Sequence, residues 1–143
     1  MQVREIMTKD VKIVGPDDTI QRAANLMGEI DCGALPVGQN DRLVGVVTDR
    51  DITLRAVACG NAPNQCTVRD VMSPKIKYVF DDETLEDAAQ KMSQLQVRRL
   101  PVLNREKRLV GIVSLGDLAL KYDGRSTATA LKGISNHSRA AGA

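Results

Sequence analysis

Apolar residues fall at helical spacing in two separate stretches. Ile20, Ala23, Ala24, Met27 and Ile30 recur at i, i+3, i+4, i+7 and i+10, which places them on one helical face. Leu85, Ala88, Ala89, Met92 and Leu95 copy that spacing. Each run is preceded by acids and a hydroxyl, Asp17-Asp18-Thr19 and Asp82-Glu83-Thr84, the residue types that cap a helix and favour its first turn. A short β-rich run comes before each helix, VKIV (11–14) and IKYVF (76–80). Two strands follow each helix, ALPV then LVGVVT, and RLPVL then LVGIVS. Polar turns join them at GQNDR (38–42) and NREKR (104–108). A second helix opens near Asp49 and near Leu115.

The two halves are one unit written twice. Arg4, Met7, Lys12 and Val14 recur 65 residues later as Arg69, Met72, Lys77 and Val79. Asp17, Thr19, Ala23, Ala24 and Met27 recur at the same offset. After one inserted residue, LVGVVTDRDI (43–52) meets LVGIVSLGDL (109–118). Each unit reads β-α-β-β-α. A unit of about 60 residues with a thin aliphatic core scarcely stands alone. The expected fold is therefore α+β: tandem β-α-β-β-α repeats packed sheet to sheet with pseudo-twofold symmetry, strands in the middle and helices outside. The expected organisation is a first repeat over 1–60, a linker over 61–66, a second repeat over 67–122 and a basic, partly disordered tail over 123–143. VREIM and TVRDVM are expected to be short entry helices, with Thr67 and Asp70 fitting a capping box. Residues 125–130 read as a loop or frayed piece, and ALKGIS (130–135) as one or two helical turns.

Composition bears on function more than on fold. Hydrophobic residues make up 43% and charged residues 27%, an ordinary globular mix. No apolar run approaches the ~18 residues of a membrane span, and the opening MQVREIMTKD has no secretory stretch. Aromatic residues are 2% of the chain, which argues against a platform for stacking bases. Residues 1–120 hold 16 Lys and Arg against 17 Asp and Glu, whereas Lys121, Arg125, Lys132 and Arg139 face only Asp123 in the remainder. The basic excess thus lies in the tail and not on the body, where a duplex-DNA binder would carry it. Cys32, Cys59 and Cys66 are an odd set that fits reduced thiols in a cytoplasm, read as small buried apolar residues. The one histidine, His137, lies in the tail, and neither a zinc site nor a catalytic set is expected.

One motif occurs twice and carries the chemistry. Gly45-Val-Val-Thr48-Asp49-Arg50-Asp51 and Gly111-Ile-Val-Ser114-Leu-Gly-Asp117 each run from a strand end into a helix. Thr48 with Asp51, and Ser114 with Asp117, satisfy the pattern of a capping box, and that structural role alone accounts for them. The same geometry serves a nucleotide. A hydroxyl at a helix start attracts phosphate, a carboxylate accepts the two hydroxyls of a ribose, and the glycine lets a ligand approach the backbone.

The duplicated unit, the (Ile/Val)-Met-(Thr/Ser) entry, the Leu-Pro-Val strand and the twofold G-h-h-(T/S)-x-x-D loop resemble a CBS-domain pair, or Bateman module, of the stand-alone bacterial and archaeal two-repeat type. The resemblance covers residues of about 1–122. It implies a regulatory, non-catalytic module whose cleft between repeats binds an adenine nucleotide of the AMP, ADP or ATP type and senses energy or metabolite state. Two alternatives stay open: another adenosyl ligand, such as S-adenosylmethionine or NAD, and an interaction scaffold with unoccupied clefts.

By the same resemblance, Asp117 holds a ribose and Ser114 a phosphate or ribose oxygen, with Asp51 and Thr48 their counterparts. Thr8, Lys12, Ser73 and Lys77 on the entry strands, with Cys32, Gly33, Val97 and Arg98 before Leu-Pro-Val, line the remainder. Arg98 and Arg99 stand where the family often places a basic residue on phosphate, and alternation along a strand lets at most one reach it directly. The first repeat has uncharged Gly33 and Ala34 there, which favours unequal sites. Arg50, matched by Gly116, either meets a phosphate or dimer partner or faces water. A homodimer through the outer helices is implied, with Ile52, Leu54, Ala56, Val57, Leu118, Ala119 and Leu120 as its apolar surplus, together with an unidentified regulated protein as partner.

Overall fold

The computed structural model describes residues 1–122 and 124–142, with the side chains of 126 and 137–142 outside the described set. The sole histidine, His137, falls among those side chains. The chain divides into two compact units, one made of Met1–Val11 and Lys77–Ala143, the other of Lys12–Ile76. The units therefore interleave along the sequence: the first eleven residues pack with the second half of the chain. Each contains a small sheet and helices, a mixed α and β fold.

The 12–76 unit holds α1 (Ile20–Ile30), β1 (Ala34–Gln39), β2 (Arg42–Thr48), α2 (Asp49–Ile52), which continues as a π-helical turn over Thr53–Val57, and α3 (Val68–Val71). Thr19 caps α1 by accepting the Arg22 amide at 3.1 Å, and Asp18 accepts the Gly15 amide at 2.7 Å. Strands β1 and β2 pair antiparallel, Ala34 opposite Thr48 and Gln39 opposite Arg42. Asn40 and Asp41, with φ of 55° and 62°, make the two-residue turn between them. Positive φ at both positions matches the twist of the flanking strands, and Asn and Asp tolerate it. The core is aliphatic: Val14, Ile20, Ala23, Leu35, Val37, Val47, Val68 and Val71 are buried. A buried residue of Ile or Leu size contributes roughly 1.5–3 kcal/mol.

The other unit opens with a 3₁₀ turn, Val3–Glu5, and continues with β3 (Val79–Phe80), α4 (Leu85–Leu95), β4 (Arg99–Leu103), β5 (Leu109–Ser114), α5 (Leu115–Lys121) and α6 (Gly124–Gly142). Strand order is β3-β4-β5, parallel then antiparallel. The two halves match closely at the ends of α1 and α4. Both finish in the left-handed region on non-glycine residues, Asp31 at φ 54° and Gln96 at φ 59°.

Three expectations are corrected. The run 11–14 is not a strand: only Val14 pairs, in parallel, with Val37. In the other half the ladder continues through Phe80, and the Asp81 amide donates to Leu103 O at 2.9 Å. Pro16 occupies the position equivalent to Asp81 and has no N–H to donate. Residues 125–130 are helical, being part of α6, which packs on α4 and α5 and buries Ala130 and Ile134. Gly133 allows that approach, since a Cβ there would lie 2.7 Å from Ser93 Cα. Finally, the apolar faces of α1 and α4 are not equally covered. Ala89 is buried, on a helix that packs against α6, while its counterpart Ala24 is exposed, as is Ile30.

The cysteines also separate. All three are free thiols, with Cys66 buried, Cys32 half-buried and Cys59 exposed. Burial pushes the Cys66 thiol up, with Asp70 beside it adding to the shift. Of the apolar surplus on the second helices, Ala56 and Leu118 belong to the cores, whereas Leu54, Val57 and Leu120 are exposed.

Candidate functional site

Each repeated loop begins where a strand runs directly into a helix. Thr48 ends β2 in extended backbone, and its Oγ1 accepts the Asp51 amide at 3.0 Å. Asp51 Oδ2 returns the contact, accepting the Thr48 amide at 3.0 Å. Ser114 and Asp117 repeat the arrangement: Oγ accepts the Asp117 amide at 3.1 Å, and Oδ2 accepts the Ser114 amide at 2.9 Å. Both predicted capping boxes are therefore formed, as is the one at Thr67 and Asp70. Each acid spends one carboxylate oxygen on its cap. The second oxygen faces a cation four residues on, Arg55 Nη1 to Asp51 Oδ1 at 3.8 Å and Lys121 Nζ to Asp117 Oδ1 at 3.9 Å. An ionised carboxylate has about four acceptor positions, so capping leaves acceptor capacity for a diol.

The start of the preceding strand lies beside each helix start. Gly33 O accepts the Asp49 amide at 2.9 Å, and Arg98 O accepts the Leu115 amide at 2.8 Å. Ala34 is opposite Thr48, and Arg99 is opposite Ser114. The electrostatics differ sharply at these matched places. One loop has exposed Arg98 and Arg99 next to Ser114, followed by uncharged Leu115 and Gly116. The other has Gly33 and Ala34, and the Asp49 carboxylate stands against Gly33. Arg50 is exposed, and its amide donates to Asp49 Oδ1 at 2.8 Å.

The predicted residues thus fall into two groups. Thr8, Lys77, Val97, Arg98, Arg99, Ser114 and Asp117 belong to one unit, and Lys12, Cys32, Gly33, Thr48, Arg50, Asp51 and Ser73 to the other. Cys32 Sγ contacts Ala34 O at 3.1 Å, and Lys77 Nζ donates to Leu95 O at 3.4 Å. Thr8 and Ser73 are held by their backbones: Thr8 exchanges two amide bonds with Ile112, at 2.8 and 2.9 Å, and Ser73 two with Val46, at 2.9 and 3.1 Å. Val97 is half-buried and packs on the core of its unit.

These pairings correct the reading of Gly45 and Gly111. The backbone that approaches them is the entry segment and not a ligand. A Cβ on Gly45 would lie 2.7 Å from Ser73 O, and one on Gly111 would lie 2.9 Å from Thr8 O. Arg55 and Lys121 are partners of the loop that the motif did not include. Their signal was present in the sequence as a basic residue four positions after each aspartate.

Among the described residues, no group of three or more His, Cys, Asp and Glu side chains is arranged to hold a metal ion, and no helix is long and apolar enough to cross a membrane.

Comparison with known proteins identifies the family. The CBS domain family matches residues 3–57 and 68–124. The chain is 44% identical over 135 residues to the CBS domain-containing protein YhcV of Bacillus subtilis, covering 94% of this chain and 95% of that protein. It is 43% identical over 117 residues to hypoxic response protein 1 of Mycobacterium tuberculosis, 81% of either chain. The crystal structure of Hypoxic Response Protein I, with two coordinated zinc ions, superposes with a TM-score of 0.79 at 40% identity, covering 86% of this chain and 100% of that one. CBSX2 in complex with AMP superposes with a TM-score of 0.70 at 31% identity over 82% of this chain and 93% of that one. The CBS domain pair of MJ0100, with 5′-methylthioadenosine and S-adenosyl-L-methionine, gives 0.72 at 28% identity over 83% and 93%. Inosine-5′-monophosphate dehydrogenase of Methanocaldococcus jannaschii is also similar, but the match covers only 22% of that enzyme. With two family matches, a duplicated loop and full-length stand-alone relatives, the chain belongs to the CBS domain family as a tandem pair of CBS repeats.

Proposed function

We propose that the chain is a non-catalytic regulatory module that binds an adenine nucleotide of the AMP, ADP or ATP type through the Ser114–Asp117 loop. The observation that carries this reading is the juxtaposition at the start of α5. A hydroxyl and a half-buried carboxylate share one helix start, and two exposed arginines stand at the adjoining strand start. Asp117 accepts the ribose diol, Ser114 Oγ meets a ribose or phosphate oxygen, and Arg98 or Arg99 meets phosphate. The AMP complex of CBSX2 and the adenosyl complexes of MJ0100 support this ligand class. Thr48 and Asp51 provide a second, weaker site, because Asp49 puts a negative charge where the other loop has Leu115. Binding acts on a homodimer and a downstream protein in the cytoplasm, not on a reaction.

Calorimetry with AMP, ADP, ATP and S-adenosylmethionine tests the reading. The expected result is saturable heat from an adenine nucleotide, reduced about tenfold or more in affinity by a combined Arg98→Ala and Arg99→Ala change. Adenosine, which lacks phosphate, is expected to be indifferent to that change. No heat from any of these ligands at millimolar concentration would overturn the proposal, and preference for S-adenosylmethionine would replace the nucleotide with that ligand.

A further inference from the structure

The cation beside each aspartate makes a second contact, and both repeats make it in the same way. Arg55 Nη1 donates to Val71 O at 2.9 Å and reaches Met72 O at 3.4 Å, while sitting 3.8 Å from Asp51 Oδ1. Lys121 Nζ donates to Ile6 O at 3.2 Å while sitting 3.9 Å from Asp117 Oδ1. The carbonyls lie at the ends of the two entry helices, α3 and the Val3–Glu5 turn. Helix-terminal carbonyls lack intrahelical donors, and a cation satisfies them well. An exposed i,i+4 ion pair alone contributes little. Here the same nitrogen also ties down backbone that is distant in sequence, and it does so with Arg in one repeat and Lys in the other.

The tied segments occupy equivalent places. Val71 precedes the crossing from one unit to the other at Ile76–Lys77 by five residues, and Ile6 precedes the crossing at Val11–Lys12 by five. Directly after each tie, the segment joins the strand that leads into the loop of the same unit, Ser73 with Val46 of β2 and Thr8 with Ile112 of β5.

We infer that Lys121 and Arg55 are positioning residues: each holds the ligand-binding aspartate of its loop against the entry segment, so that order in the entry segment and recognition of the ribose diol depend on one another. This inference rests on the nucleotide reading for its ligand half and on the observed contacts for the rest. A diol donating to Asp117 competes with Lys121 for the carboxylate, and Lys121 donates to Ile6 O from the same nitrogen. Occupancy of the loop therefore changes how firmly the entry segment is held.

Two measurements on the full chain test it. Hydrogen exchange without ligand is expected to speed up at the Thr8 and Ile112 amides by about fivefold in Lys121→Met, with Lys121→Arg restoring protection. Arg55→Met is expected to do the same at Ser73 and Val46. Unchanged exchange in both Met variants would overturn the inference, whatever the ligand. Titration then compares AMP with 2′,3′-dideoxy-AMP. Lys121→Met is expected to weaken AMP about fivefold or more and leave the dideoxy analogue unchanged, with Lys121→Arg again restoring AMP. Equal losses for the two ligands would reduce Lys121 to general support and overturn its positioning role. If the wild-type chain binds neither, the nucleotide reading fails, and the coupling to a diol fails with it. The exchange result then decides the tie to the entry segment alone.

Discussion

The Asp49 carboxylate stands over Gly33, so that a Cβ built on that glycine would lie 2.8 Å from Oδ2. The matching pair in the other repeat is Leu115 and Arg98. One loop thus presents an acid where the other presents a base and an aliphatic chain. An anionic ligand meets repulsion at the first and attraction at the second. Asp49→Leu is therefore expected to raise the affinity of the Thr48–Asp51 loop for AMP by roughly three- to tenfold, the effect of removing one partly screened like charge. Titration of the variant, with Asp117→Asn present to silence the other loop, reads that change. No gain, or a loss, would mean that Asp49 does not face the ligand.

Helix α6 shields α4, and Gly133 is the close point between them. Gly133→Val would drive a branched side chain into Ser93, where even a Cβ sits 2.7 Å from Cα. The expected cost is about 1–3 kcal/mol from overpacking, seen as a lower urea midpoint. Gly133→Val with Ser93→Gly is expected to recover part of it. A neutral Gly133→Val would mean that α6 does not hold to α4 in solution.

Local rules make much of this fold legible in the sequence. Both long helices, their Thr caps, the Leu-Pro-Val strands and the paired capping boxes obey short-range periodicity and hydrogen bonding. What stayed hidden depends on distant chain. Pro16 sits where Asp81 continues a ladder, so one β-run survives and its copy does not. Gly124, Gly133 and the Ser/Thr content of α6 disfavour a helix by intrinsic propensity, and burial of Ala130 and Ile134 overrides it. The motif does not reveal the roles of Gly45 and Gly111, because nothing local says that an entry segment occupies the space beside them. The second contacts of Arg55 and Lys121 escaped for the same reason: an i,i+4 spacing shows the acid, but not a carbonyl 115 residues away.

Acid should weaken the fold through three identified carboxylates. The Arg105 guanidinium grips Asp82 with bonds of 2.8–3.1 Å and holds its pKa below the usual value. The Tyr122 hydroxyl does the same for Glu86, and the Thr67 amide, with its hydroxyl, for Asp70. Each group binds its proton more weakly folded than unfolded. Its stabilisation is therefore complete above the ordinary carboxylate range of about 4 and is lost as pH falls through the lower folded values. Urea midpoints are expected to be flat between about pH 7 and 5 and to drop below about pH 4. Arg105 also lies 4.1 Å over the Phe80 ring, so Arg105→Met is expected to lower the midpoint at neutral pH and flatten the acid limb. An unchanged acid limb in that variant would remove Asp82 from the account.

Gly111 and Gly45 give the sharpest stability prediction, because their neighbours are backbone and cannot turn aside. Thr8 O would sit 2.9 Å from a Cβ at 111, with Met7 Sδ at 2.5 Å, and Ser73 O would sit 2.7 Å from one at 45. Met7 can rotate, but Thr8 O also accepts the Ile112 amide at 2.9 Å, and Ser73 O accepts the Val46 amide at 3.1 Å. Making room for one methyl therefore breaks the bond that joins the entry segment to the strand. Neither glycine has a positive φ, so the effect is steric and not conformational. Gly111→Ala and Gly45→Ala are each expected to destabilise by about 2–4 kcal/mol, the sum of overpacking and a lost hydrogen bond. Chemical denaturation measures the loss, and hydrogen exchange locates it at Thr8 and Ile112 in the first variant and at Ser73 and Val46 in the second. A Gly111→Ala chain of wild-type stability, with Thr8 still protected, would show that the entry segment does not pack on β5 in solution.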